Sequence, residues 1–258
     1  MESYKTAIFD FNQTLIDTNS DYYINKLIGE KIERDQYPSE IEELYSKFDW
    51  TTRMNAVIEY MFDSYGIETN LILECLREIR MEDSMINLLR LLRRNNYELI
   101  ILSDSNQIFI ETVLRENHVN ELFDKIYTNP SYLDESNKLK IIPFNQAFNF
   151  NGDVFTCETK FCEKNMCKGT VLKKHLENVK SKLKPRESHI VYVGDGCNDF
   201  CPGLLLSEKD FYFVKKKHPL DDLLQNYSNL REKLNSRPLF WNNANHIIDC
   251  LNKVYELT

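Results

Sequence analysis

Three short apolar runs each stop at a cluster of oxygen-bearing side chains, and this pattern restricts the fold more than any other feature of the chain. Thr6-Ala7-Ile8-Phe9 ends at Asp10, Tyr97-Glu98-Leu99-Ile100-Ile101-Leu102 at Ser103-Asp104-Ser105-Asn106, and His189-Ile190-Val191-Tyr192-Val193 at Gly194-Asp195-Gly196. Runs that are apolar on successive residues suit strands buried on both faces, and hence a parallel sheet with helices on either side. Amphipathic stretches over 86–94 and 170–183 lead into the second and third runs, the helix-into-strand rhythm of an open α/β sheet. In such a sheet the carboxyl ends of the strands share one crevice, so Asp10, Ser103 and Asp195 are expected around a single pocket.

The rest of the chain fills in around these runs. Residues 107–116 read as a helix, 125–128 as a strand closed by the turn Asn129-Pro130, 210–214 as a further strand, and 244–255 as a terminal helix. Between the first two runs the composition changes to Glu, Leu, Ile, Lys and Tyr, with apolar residues at helical spacing: Ile41, Leu44, Tyr45 and Phe48, then Ala56, Val57, Tyr60 and Met61. This predicts a helical insert over 17–89 in a core made of 1–16 and 90–258. In the Asn-rich stretch 132–164, two short segments, 140–143 and 154–157, are expected to pair as an antiparallel hairpin.

Composition narrows the function. Lys and Arg number 32 against 40 Asp and Glu, a formal charge of −8. The basic runs are too short to give the face that displaces counterions from a nucleic acid, so no nucleic-acid partner is expected. No apolar run approaches the ~18 residues of a membrane span, and no secretory signal precedes Asp10, so a cytoplasmic protein without a membrane partner is expected. The seven cysteines form no disulfide framework and read as reduced thiols. Cys157, Cys162 and Cys167 recur at intervals of five. Zinc sites favour C-x2–4-C pairs with four ligands, so a reduced loop cluster is the preferred reading over a metal. The five histidines show no metal spacing, and no G-x-x-x-x-G-K-[ST] string marks a P-loop.

The strand ends carry the chemistry. Asp10 and Asp195 offer hard oxygens to Mg²⁺, Ser103 can donate to a phosphoryl oxygen, and Lys168, ahead of a helix, can neutralise phosphate charge. These residues also fall in a known pattern. Asp10-Phe11-Asn12-Gln13-Thr14, then Ser103, then Lys168, then Gly194-Asp195-Gly196-Cys197-Asn198-Asp199 follow one another in the order of the four motifs of the haloacid dehalogenase superfamily, which the chain resembles over nearly its whole length. Asn19-Ser20-Asp21, Thr128-Asn129-Pro130, Asn165-Met166-Cys167-Lys168-Gly169 and Asp199-Phe200-Cys201-Pro202 make it similar to the branch holding phosphoethanolamine/phosphocholine phosphatase and pyridoxal phosphate phosphatase.

That resemblance implies a Rossmann-like core with a helical cap inserted after the first motif. It also implies Mg²⁺-dependent hydrolysis of a small phosphomonoester. Asp10 would attack phosphorus to give an aspartyl-phosphate that water then hydrolyses. Mg²⁺ would lie among Asp10, Asp195 and the backbone carbonyl of Asn12, with Asp199 supporting the site. Asp21 and Asp104 match positions that contact substrate in the close relatives, and a carboxylate there suits an ammonium or a ring hydroxyl. Trp50 and Met54 match the branch's cap pattern, but at helical spacing they read as core residues.

One position departs from the family. The second acid of the opening motif is Asn12, and an amide can neither protonate a leaving oxygen nor deprotonate a water at neutral pH. General acid–base catalysis contributes about 10²–10⁴ in rate. A chain with this Asp-to-Asn replacement is therefore expected to bind substrate and turn it over slowly. Two other classes stay open: a catalytically silent binder of a phosphate ligand, and a phosphotransferase that passes the phosphoryl group to an acceptor other than water.

Overall fold

Successive residues of the apolar runs point to opposite faces of one sheet, and both faces are buried. In the computed structural model, which describes residues 3–28, 43, 49–148, 157–183 and 187–255, the strands are β1 (Tyr4–Phe9), β2 (Glu98–Asn106), β3 (Lys125–Asn129), β4 (Ser131–Leu133), β5 (Leu139–Ile141), β6 (Ser188–Gly194), β7 (Phe211–Lys215) and β8 (Pro238–Trp241). Six of them form a sheet in the order β3-β2-β1-β6-β7-β8, with every pairing parallel. Ala7, Phe9, Leu99, Ile101, Val191 and Val193 pack on one side, against the helices Asp83–Arg94, Gln107–Glu116 and Ala244–Tyr255. Ile8, Ile100, Leu102, Ile190, Tyr192 and Tyr212 pack on the other, against Lys168–Leu183 and Pro219–Asn226. Burial on both faces is why these strands lack the polar alternation of a half-exposed sheet.

The chain builds outward from β1 through β2 to β3, then returns to place β6 on the other side of β1. The strand order thus reverses between β1 and β6, and crevices at the carboxyl ends of such a pair are where ligands bind in open α/β sheets. Asp10 and Asp195 follow these two strands.

Two elements differ from the sequence reading. A hairpin exists in this stretch: Leu139–Ile141 pairs antiparallel with Ser131–Leu133, a partner that the sequence reading did not name. The connecting turn explains this pairing: Asp134 Oδ1 accepts from the backbone N–H groups of Ser136 and Lys138, both at 2.9 Å, and Asn137 takes the left-handed conformation at φ 57°. Residues 154–156 lie outside the described residues, as do Ile41, Leu44, Tyr45 and Phe48 of the insert. The sixth strand of the sheet, β8, has little sequence signal because it is four residues long and opens on Pro238, a residue tolerated there because the strand lies at the sheet edge.

The helix Trp50–Tyr65 starts where Asp49 accepts from the Thr52 N–H and ends at Gly66, whose φ of 63° lets its N–H reach back to the last turn. Met54, Val57, Ile58 and Met61 on its inner face join the same apolar cluster as β1 and β2. The helix Asp83–Arg94 runs unbroken past residue 89 and lays Met85, Leu88, Leu89 and Leu92 into that cluster.

Candidate active site

The Asp10 N–H donates to the Val193 carbonyl at 3.0 Å, which fixes the end of β1 against β6. The Asp10 carboxylate accepts from its neighbour's amide, Phe11 N, at 2.7 Å, and its Oδ2 lies 2.9 Å from the ammonium of Lys168. Lys168 opens the helix Lys168–Leu183 and is fully buried; its Nζ also donates to Asp199 Oδ1 at 2.8 Å. Asp199 is saturated, since Oδ1 accepts a second bond from the Tyr192 hydroxyl at 2.7 Å and Oδ2 accepts from the Asp195 and Gly196 N–H groups at 3.0 Å each. This wrapped carboxylate requires glycine at position 194, where a Cβ would stand 2.5 Å from Asp199. Asp195 accepts from the Thr14 hydroxyl at 2.9 Å, and its other oxygen is 3.3 Å from His218 Nδ1.

Carboxylate oxygens of Asp10, Asp195 and Asp199 lie within 4.8 Å of one another, with a single ammonium among them. Burial pushes the Asp10 pKa well above the ordinary value, Lys168 pulls it down, and the charges of Asp199 and Asp195 push it up again. Burial acts the other way on Lys168, but Asp10 and Asp199 outweigh it and hold the ammonium charged. A convergence of hard anionic oxygens in excess of the available positive charge fits a divalent cation such as Mg²⁺. Asp199 accepts two hydrogen bonds on each oxygen, whereas each oxygen of Asp10 and Asp195 has a single polar contact and keeps a lone pair for a cation, so Asp10 and Asp195 are the side chains suited to ligate.

The first turn after β1, Phe11–Leu15, is wide and irregular, with Gln13 left-handed at φ 58°. It turns the Asn12 side chain toward the segment Asn19–Asp21. The Asn12 carbonyl oxygen accepts from both the N–H and the hydroxyl of Ser20 at 2.8 Å, and its amide nitrogen donates to Asp21 Oδ2 at 2.9 Å. Ser105 donates to the other Asp21 oxygen at 3.0 Å. Burial nevertheless pushes the Asp21 pKa up to about 7.

Asp10, Asn12, Asp21, Asp104 and Asp195 line one pocket of about 230 Å³, while Ser103, Lys168 and Asp199 lie fully buried beneath it. Ser103 is on β2, with its Oγ 3.4 Å from the Ser105 N–H. Asp104 is positioned from two sides: Asn129 Nδ2 donates to its backbone carbonyl at 2.6 Å and Asn198 Nδ2 to its carboxylate at 2.9 Å.

Several neighbours escape the sequence reading. Trp50 is half-buried: it packs against the main apolar cluster and also lines the pocket, edge-on to Tyr22 with ring centroids 5.8 Å apart. Met54, one turn further, is buried. Glu163 joins the rim, and burial raises its pKa. His218 reaches Asp195 with no local signal to announce it, and Thr14, the last residue of the first family-like motif, reaches it from the turn that follows β1. Asn129 and Asn198 do lie inside the family-like motifs, where their role as props for Asp104 could be sought.

The family model described as Putative Phosphatase matches residues 5–255. The chain belongs to this family of haloacid dehalogenase-type phosphatases. It is 33% identical over 246 residues to the pyridoxal phosphate phosphatase PHOSPHO2 of Mus musculus, covering 95% of each chain. It is 30% identical over 215 residues to inorganic pyrophosphatase 1 of Arabidopsis thaliana, covering 83% of this chain and 68% of that one. Among solved structures, a phospho-aspartyl intermediate analogue of phosphoserine phosphatase superposes with a TM-score of 0.58 at 14% identity, over 96% of this chain and 99% of that one, a likeness of fold. The parallel sheet and flanking helices are thus the superfamily's Rossmann-like α/β fold, and the chain is a phosphomonoester phosphatase by family. Among the described residues, no helix is long and apolar enough to cross a membrane.

Proposed function

We propose that this phosphatase acts on a small phosphomonoester through an aspartyl-phosphate on Asp10, slowly, because position 12 is an amide. The observation that carries this reading is the convergence of the Asp10, Asp195 and Asp199 carboxylates at the β1/β6 crevice, with the buried Lys168 ammonium between Asp10 and Asp199. Asp10, held by Lys168 and the Phe11 N–H, is aimed at the pocket as a nucleophile. The Ser103 hydroxyl and the Lys168 ammonium hold the phosphoryl oxygens, and such positioning is most of the catalysis in phosphoryl transfer. Mg²⁺, held by Asp10, Asp195 and the Asn12 backbone carbonyl, would supply the charge that offsets repulsion between carboxylate and phosphate. Asn12 has no proton to give the leaving oxygen and no basic site to take one from water, so hydrolysis of phospho-Asp10 lacks its general base.

For the organic half of the substrate, Asp21, Asp104 and Glu163 face the same pocket as the Tyr22–Trp50 edge pair. Carboxylates and aromatic faces together favour a cationic group, as in phosphocholine or phosphoethanolamine. The names of the mammalian relatives favour pyridoxal phosphate, whose ring hydroxyl also suits a carboxylate. The part of the insert before the helix Asp83–Arg94 acts as a roof, because Asp21, Tyr22 and Trp50 come from it. A cytoplasmic location agrees with seven unpaired thiols.

One observation favours a silent phosphate binder instead: both ends of the Asn12 amide are hydrogen-bonded, so the amide is fitted to its place. A panel of small phosphomonoesters assayed on the parent chain and on the Asn12→Asp variant separates the readings. Hydrolysis that appears or rises with the restored carboxylate supports the phosphatase, and negligible turnover by both forms supports the binder.

A further inference from the structure

On the flank of the site the fold completes a set that the sequence leaves one ligand short. Cys157, Cys162 and Cys167 are spaced as two successive C-x4-C steps, and the fourth sulfur comes from Cys201, in the short helix Phe200–Gly203 that follows Asp199. The Sγ atoms of all four lie within 4.8 Å of one another. Cys201 Sγ is 3.5 Å from the Sγ atoms of both Cys157 and Cys162. Four thiolates bound at about 2.3 Å around a tetrahedral ion stand about 3.8 Å apart, which these separations match, whereas a disulfide needs about 2.05 Å.

We propose that Cys157, Cys162, Cys167 and Cys201 hold a structural Zn²⁺ ion. Soft sulfur ligands in a tetrahedral set select zinc, and four protein ligands leave no open position, so the ion supports structure and takes no part in the reaction. Binding converts four thiols to thiolates and releases four protons. The surroundings suit this. The Thr159 hydroxyl lies 2.8 Å from Cys201 Sγ and 3.2 Å from Cys157 Sγ, close enough to donate to a thiolate. Cys167 immediately precedes the helix Lys168–Leu183, whose N-terminus favours negative charge. Phe161 and Phe200, the sequence neighbours of Cys162 and Cys201, stand edge-on to each other with ring centroids 5.6 Å apart.

The placement gives the ion a task. Cys167 adjoins Lys168, and Cys201 lies two residues beyond Asp199, so one ion would clamp the two segments that carry the buried Lys168–Asp199 pair. The segments already touch: a Cβ at Gly169 would meet Cys201 Cβ at 2.8 Å. Cys162 Sγ also lies 3.6 Å from the Asn198 carbonyl, in the loop that supports Asp104.

The test reads metal, not activity, and is independent of the phosphatase reading. The full chain, purified without chelator, is analysed by elemental mass spectrometry and titrated with a mercurial thiol reagent in the presence of a zinc indicator. About one zinc per chain is expected, released as four thiols react. Cobalt exchanged into the unmutated protein should give intense tetrahedral d–d bands and a thiolate charge-transfer band. Cys162→Ser and Cys201→Ser should retain at least tenfold less zinc, while Cys75→Ser, Cys250→Ser and Asp195→Asn retain it in full. If the serine variants do not fold, the cobalt spectrum decides alone. Stoichiometric zinc in Cys201→Ser, iron in place of zinc, a disulfide among the four, or no cobalt–thiolate band would each overturn the proposal.

Discussion

The side-chain amide of Asn12 donates to Asp21 at 2.9 Å. In this arrangement position 12 carries no titratable proton, yet its neighbour is a buried carboxyl whose pKa stands at about 7. With Asp at position 12, two carboxyl groups would face each other at hydrogen-bond distance and share one proton. Like charges so close raise one pKa of the pair, which is what a general acid needs. The same contact thus explains how an amide is accommodated and what its replacement would restore.

Asp195→Asn should weaken Mg²⁺ binding in calorimetry by tenfold or more, because it removes one of the two carboxylates not already saturated by hydrogen bonds. Unchanged affinity would place the cation elsewhere.

Lys168→Met leaves Asp10 and Asp199 buried without their shared counter-charge. Breaking a buried pair from one side costs about 3–5 kcal/mol, so chemical denaturation at neutral pH should show a loss of that size. The loss should shrink in acid as the two carboxylates take up protons. A variant as stable as the parent at pH 7 would contradict the burial of a charged triad.

Asp21→Ala and Asp104→Ala should raise KM by about tenfold or more on substrates that carry an ammonium or ring hydroxyl, with smaller effects on kcat and on minimal esters. That range follows from losing one hydrogen bond to a charged group. An equal fall in kcat on every ester, small or large, would make both residues part of the chemistry instead.

At the opposite end of the sheet, Glu98 accepts from Lys125 at 2.6 Å and from Tyr4, and His175 Nε2 lies 3.5 Å away. Burial alone would raise its pKa, but contacts from His175, Lys125 and Tyr4 outweigh it and lower the value to about 2. A carboxylate depressed on folding adds stability that is present above its unfolded pKa and lost as pH falls toward the folded one, here from about 4.5 down to about 2. The depression amounts to about 3 kcal/mol at most, and screening at the side chain, one-fifth exposed, brings the expected contribution to about 1–2 kcal/mol. Glu98→Gln should therefore be less stable than the parent at pH 7 and converge with it near pH 2. A difference independent of pH would remove this network from the acid response.

What the sequence shows and what it hides follow from where the information lies. β1, β2 and β6 are continuous apolar runs because both their faces are covered, and the helix Ala244–Tyr255 carries its own 3.6-residue period, so both kinds of element are local signals. Asp10, Ser103 and Asp195 are legible as strand ends. By contrast, His218 meets Asp195 across 23 residues and leaves no trace in its own neighbourhood, while Thr14 lies in the first motif but its partner Asp195 is 181 residues away. Cys201 joins Cys157 across 44 residues, so three cysteines look like an incomplete set. Trp50 has the spacing of a core residue, and its position at the pocket rim follows from its place in the helix's first turn, beside Tyr22.

In the proposed mechanism this chain keeps the nucleophile and phosphate grip of its family but lacks proton transfer at position 12. Comparing kcat of Asn12→Asp with that of the parent, on an alkyl phosphate and on an aryl phosphate, tests this most directly. The predicted result is a rise of about 10²–10⁴ on the alkyl ester. The gain should be smaller for phosphorylation of Asp10 by the aryl ester, whose leaving group needs little protonation, and phospho-Asp10 should accumulate in the parent. Equal rates from the two forms on both esters would contradict it.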